Sequence, residues 1–176
     1  LQVYIEKISG AKLPILSDED PAPTGTRILV GRSTFTAPYE DRIPSGMTNL
    51  REEEGYTILT DENTLVLAGN EEVPYRGTEY AVYFFLHKLG VRWYMPTEFG
   101  EFVPKQQTIR IGDIDEVSRP DFKMRNWWTH WFADDLRDIE TRWKIRNSMN
   151  LERMNAVPGD SYIRKVLPPE AEKDNP

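Results

Sequence analysis

"RGTEYAVYFFLHKLGVRWYMP", residues 76–96, predicts a helix, a stop and a strand with almost no polar relief. Gly77 and Thr78 open the helix, Thr78 able to cap it and Glu79 well placed at its positive end. Tyr80 to Leu86 are all apolar or aromatic, so no polar face exists before His87 and Lys88. A helix of that kind has to be covered on most of its sides. Gly90 supplies a left-handed stop, and residues 91–95 read as a strand ended by Pro96.

Working outward, Leu1, Ile5 and Ile8 stand at helical spacing before a stop at Gly10. Residues 17–25 form a polar, proline-bearing loop, and 26–33 are a short apolar run that suits a buried strand. Pro38, Pro44 and Gly46 make residues 34–50 mostly irregular. "GYTILTDENTLVLAG" (55–69) reads as a hairpin turned through Asp61, Glu62 and Asn63. "TIRIG" (108–112) alternates like a further strand. The sum is an α+β (mixed α/β) layered domain over residues 1–116. After the polar stretch 113–120 the character changes: residues 121–132 are strand-like and aromatic, and 134–150 are helix-like with Leu136, Ile139 and Trp143 on one stripe. Residues 117–176 therefore read as the opening of a second domain.

Bulk properties narrow the function. The 176 residues carry 39% hydrophobic and 29% charged side chains, which fits a cored globular chain and argues against disorder. A formal charge of −7 argues against general binding to nucleic acid or an anionic membrane, and no apolar run reaches the roughly 18 residues of a membrane helix. The absence of cysteine excludes disulfides, thiol nucleophiles and Cys-based zinc sites. His87 and His130 are the only histidines and show no metal-ligand spacing, so no metal and no cofactor are expected; His87 reads as a helix-end residue helped by the dipole. Neither a GxSxG elbow nor a glycine-rich phosphate loop is present. The carboxylate pairs Glu52–Glu54, Asp61–Glu62, Glu71–Glu72 and Asp134–Asp135 read as solvated loop charges rather than an acid/base pair, although glycosidases do need two facing carboxyls.

The strongest candidate for function is "RNWWTHWF" (125–132), within a region that holds four of the five tryptophans between Trp127 and Trp143. Flat aromatic faces stack on sugar rings, and neighbouring Arg, Asn and His can hydrogen-bond hydroxyls or carboxylates. Trp127, Trp128, His130 and Trp131 are thus the candidate substrate contacts, set against the plainer possibility that the cluster is core or domain interface. Interleaved Arg and Trp also suit single-stranded nucleic acid, but the eight basic residues over 119–153 are nearly balanced by six acidic ones.

Residues 75–104 resemble the G-T-x-Y-A-x-Y-x-F-L-x-x-L-G-V-R-W signature of the small domain that precedes the catalytic barrel in several glycoside hydrolase families. The helix ending in Ser9-Gly10-Ala11 and the hairpin at 55–69 fit the same pattern. The resemblance is to large bacterial proteins grouped with carbohydrate-degrading enzymes and, more distantly, to the N-terminal domains of family 67 α-glucuronidases and family 20 β-N-acetylhexosaminidases. It implies a chitobiase domain-2 type layer: a mixed sheet carrying two helices, followed by the start of a (β/α)8 barrel. "RPDFKMRNWW" resembles the linker and first barrel strand, with Arg125 matching an arginine after Pro-x-Phe. Family 20 enzymes place a sugar-binding arginine farther on; Ala133 stands near that position, so the role does not transfer. The resemblance also places the catalytic carboxylates outside this chain and implies a secreted or periplasmic protein; the start at Leu1, without Met, leaves room for a removed leader. Its expected partners are a glycan and its own downstream barrel. The rival expectation is a carbohydrate-binding or structural module with no enzymatic parent.

Overall fold

The computed structural model describes residues 1–21, 24–48, 51–126 and 136–150. Two strands, β2 (Tyr56–Asp61) and β3 (Thr64–Gly69), form the expected hairpin, with Glu62 and Asn63 at its tip. β1 (Arg27–Val30) lies parallel to β3, and Asp115–Ser118 pairs antiparallel with β2, completing a four-stranded mixed sheet. A two-stranded ribbon of β4 (Arg92–Trp93) and β5 (Glu101–Phe102) stands beside it, and Asp115–Ser118 is accordingly β6. The helices are α1 (Gln2–Ser9), α2 (Gly77–Lys88) and α3 (Arg137–Arg146). The chain is therefore mixed α+β.

Period-two alternation explains the layers. On β2 and β3, Tyr56, Ile58, Leu65 and Leu67 meet Tyr80, Ala81 and Phe85 of α2 on one face of the sheet. Val66 and Ala68 meet Ile43 on the other face, with Leu29, Tyr39 and Leu59 around them. β3 is buried along its whole length because it is central and covered on both sides. The apolar helix of 77–88 is covered as its composition requires. Its sheet-facing side lies in the main core, and Leu86 packs in a second cluster with Tyr4 and Ile8 of α1 and with Val91 and Trp93. Phe84 stacks on Tyr56 with ring centroids 4.7 Å apart.

Backbone contact is closest where α2 starts. A Cβ on Gly77 would lie 2.2 Å from the Gly55 carbonyl oxygen and 2.3 Å from the Asn70 nitrogen, and one on Gly69 would lie 2.3 Å from the Gly77 carbonyl carbon. Asn70 threads between these glycines: its N–H donates to Gly55 O at 3.1 Å, and its carbonyl accepts from Gly77 N–H at 2.8 Å. Thr78 does not cap the helix as expected. Its Oγ1 instead accepts from the Gly69 N–H at the end of β3, at 3.0 Å.

Other expectations change for the same reason, that an element needs a partner the sequence does not name. Residues 26–33 give an edge strand, only partly buried, with Val30 half exposed. Residues 34–42 are a 3-10 helix around Pro38, with the Ser33 N–H donating to Thr36 Oγ1 at 2.8 Å. Residues 108–112 form no strand: Ile109 and Ile114 pack on the core, and it is 115–118 that finds the free edge of β2. The strand expected over 91–95 shortens to β4, since only Arg92 and Trp93 face a partner. Residues 121–126 form no strand, while 127–132 lie outside the described residues. β6 runs across the expected division at 116/117, and Ile145 of α3 joins the main core. On α3 the buried positions are Glu140, Lys144 and Ile145, whereas Leu136, Ile139 and Trp143 are half-buried.

Gly77→Ala is expected to destabilise the chain by about 1–3 kcal/mol or more, because the added methyl meets backbone that cannot swing aside. Gly112→Ala, where a Cβ meets nothing within 4 Å, should change stability by less than about 0.5 kcal/mol. Urea unfolding of the two variants checks the contrast.

Candidate functional site

Arg125 is where the candidate segment meets the described fold. Its guanidinium is held at three points: Nη2 donates to Glu54 Oε2 at 2.8 Å, Nε to Ser148 O at 2.9 Å and Nη1 to Phe122 O at 2.9 Å. The plane also lies 5.6 Å from the centre of the Tyr80 ring. Asn150 locks the same junction. Its N–H donates to Arg125 O at 2.8 Å, its Nδ2 to Lys123 O at 2.6 Å, and its Oδ1 accepts from the Arg125 N–H at 3.2 Å. Tyr80 adds a hydrogen bond from its hydroxyl to Met149 O at 3.1 Å. Burial, and then the Glu54 charge, push the Tyr80 phenol well above its ordinary value of 10.

Glu54 corrects the expectation that this run of carboxylates is solvated. Glu52 is exposed, but Glu54 is only 2% exposed. The local cause is the turn at 51–54, in which the Glu54 N–H donates to Arg51 O at 3.1 Å, followed by Gly55 pressed against Ser118. That turn rotates one of three consecutive glutamates inward. A carboxylate this deeply buried needs an ion-pair partner and a hydrogen bond, and Arg125 supplies both. With its donors committed to Glu54 and two carbonyls, Arg125 acts as a staple between the hairpin and the chain on either side of the candidate segment.

A second polar cluster sits between α1, β4, β5 and α3. Glu101 accepts from Tyr4 Oη at 2.5 Å and from Trp93 Nε1 at 3.3 Å, and it pairs with Lys7 at 2.5 Å. Trp93 Nε1 also donates to Tyr4 Oη at 2.9 Å, and Arg146 lies 5.4 Å over the Trp93 ring. Burial alone would raise the Glu101 carboxyl, but the hydrogen bonds from Lys7, Tyr4 and Trp93 hold it below its ordinary 4.5. Burial and then the Glu101 hydrogen bond push the Tyr4 phenol up to about 12. His87, read as a helix-end residue helped by the dipole, behaves the other way. Burial, with the charge of Arg92 second, lowers its imidazole below 6.5.

The surface adds two features. A shallow depression of about 350 Å³ is lined by Arg32, Glu40, Ser45, Glu71 and Glu72. Arg32 is tied down there by Glu40, Gly69 O and Pro44 O. Tyr94, Phe99 and Phe102 stand exposed on and beside the β4–β5 ribbon. Among the described residues no group of three or more His, Asp or Glu could hold a metal ion, and no helix is long and apolar enough to cross a membrane.

Trp127, Trp128, His130 and Trp131 lie outside the described residues, as do Asp134 and Asp135. What the sequence did not disclose is the Glu54–Arg125–Asn150 junction. Arg125 was singled out, but its partners lie 71 and 25 positions away along the chain. The one available signal was a glutamate directly before a glycine and a buried strand. No family model, curated protein or solved structure matches the chain.

Glu54→Ala should cost about 3–5 kcal/mol, because Arg125 is left as an unpaired, mostly buried charge, while Glu52→Ala should stay within about 0.5 kcal/mol. Chemical denaturation monitored by circular dichroism distinguishes them. Glu101→Gln should flatten the acid limb of stability. A carboxylate held below its unfolded value stabilises the fold above about 4.5, and that contribution is lost as pH falls through its depressed folded value. Thermal melts between pH 3 and 6 read the difference.

Proposed function

We propose that this chain is the non-catalytic N-terminal accessory domain of a secreted carbohydrate-processing protein, of the chitobiase domain-2 type, followed by the opening of a (β/α)8 barrel. One observation carries this reading: the residues of the 77–93 signature serve as scaffold. Gly77 makes the closest backbone approach, and Tyr80, Ala81, Phe85, Leu86 and Trp93 are buried. Gly90 takes the left-handed conformation at φ 93°. A signature used for packing belongs to a domain that supports something else.

In this reading the sheet carries the chain as far as Ser118, and Arg125 fastens the linker to the hairpin before the aromatic segment begins. The parent hydrolyses glycosidic bonds in uronic-acid or N-acetylhexosamine glycans, with carboxyl general acid and base groups supplied from outside these residues. Trp127, Trp128, His130 and Trp131 contact sugar at the end of the first barrel strand, where barrel enzymes build their sites.

Titration with uronic-acid and N-acetylhexosamine oligosaccharides, followed by tryptophan fluorescence, tests the sugar contacts. Binding by one of the two classes is expected, weakened about tenfold or more (about 1.4 kcal/mol) by Trp127→Ala or Trp128→Ala. An unchanged spectrum with both sugars, from a chain whose circular dichroism shows it folded, overturns the assignment of those contacts.

A further inference from the structure

His87 sits in the last turn of α2, against Trp93 of β4. Its Nε2 is buried and has no hydrogen-bond partner among the described residues. The ring lies 5.3 Å from Trp93, tilted by 32°, and 6.1 Å from Phe84. Arg92 sets a positive charge beside it. Arg92 of β4 donates from Nη1 to His87 O and Val91 O, each at 2.7 Å. Arg146 of α3 lies over the Trp93 ring. Lys88, next on α2, is paired with Glu116 of β6 at 2.7 Å. Glu101 of β5 accepts from Trp93 Nε1 and Tyr4 Oη and pairs with Lys7 and, at 3.8 Å, with Arg146.

A neutral imidazole can leave one nitrogen without a proton, but an imidazolium carries an N–H on both. Protonation therefore places a charged N–H where none of the described residues accepts a hydrogen bond from it, beside Arg92. Trp93 connects His87 to α3: its carbonyl accepts from Trp143 Nε1 at 2.9 Å and from Asn147 Nδ2 at 3.1 Å.

We propose that His87 makes the docking of α3 on β4 acid-sensitive, so that protonating this one imidazole loosens Trp93 and the two hydrogen bonds that hold α3 to its carbonyl. The sign follows from which form the fold prefers. The helix C-terminus and the Trp93 ring favour the imidazolium, but burial and Arg92 outweigh them, and the folded imidazole titrates below 6.5. A released imidazole takes up its proton near 6.5, so the contribution to docking is complete above that pH and is lost as pH falls through it. Each unit of separation between docked and released values corresponds to a tenfold larger released population once both states are protonated.

Hydrogen–deuterium exchange of the α3 amides between pH 8 and pH 5, corrected for intrinsic exchange, tests this. In the wild type and in His130→Gln, exchange should rise several-fold with a midpoint below 6.5; in His87→Gln the step should vanish. A step that survives in His87→Gln, or a flat wild-type profile, overturns the proposal. Should His87→Gln fail to fold, NMR titration of the wild-type ring decides: a His87 value at or above 6.5 sinks the idea.

Discussion

The approach of α2 onto the end of β3 sets the geometry of everything around it. Gly69 and Gly77 meet backbone to backbone, with the Gly55 carbonyl closing the third side and Asn70 bonded to both neighbours. Side chains at these points would hold the helix off the sheet. With none present, Tyr80, Ala81 and Phe85 reach Leu65 and Leu67, and the helix is buried deeply enough to have no polar face before its last turn. The same depth leaves Leu86 and Tyr83 directed at α1 and Trp93, which is why a second cluster forms at all. The glycines thus decide where α2 lies, and α2 decides where α1, β4 and α3 can pack.

Electrostatics then fastens what packing has brought near. Glu54 and Arg125 form a buried pair that joins the hairpin to the chain around α3, and Asn150 satisfies the backbone at the same junction. Buried ion pairs add little net stability, yet they are intolerant of losing one partner, so they specify position more than they strengthen the fold. The Tyr4–Trp93–Glu101 cluster does the equivalent at the other end of α2, tying α1 to the β4–β5 ribbon. His87 lies against Trp93 of the second anchor, its Nε2 without a hydrogen-bond partner among the described residues.

Elements defined by their own local chemistry were legible in the sequence. α1 ends at Gly10 and α2 is followed by Gly90, both in the left-handed conformation, and the 55–69 hairpin forms as its β-rich runs require. What was not legible depends on distant partners. Residues 108–112 alternate like a strand but lack a neighbour, while the polar 115–118 becomes one because the edge of β2 was open. Thr78 had the chemistry of a cap and spent it on Gly69. The candidate site divides the same way. Arg125 was visible as a motif residue, but its function as a staple depends on Glu54, which looked like one of three equivalent surface glutamates.

By itself the sequence determined the class of fold, the buried character of α2 and the exclusion of thiol and disulfide chemistry, because composition, periodicity and glycine placement act within a few residues. Tertiary structure decided which carboxylate is buried, which run completes the sheet and which side chains pack against His87. Those outcomes depend on groups brought together across tens of residues, where burial and pairing set the energy, and no local pattern records them.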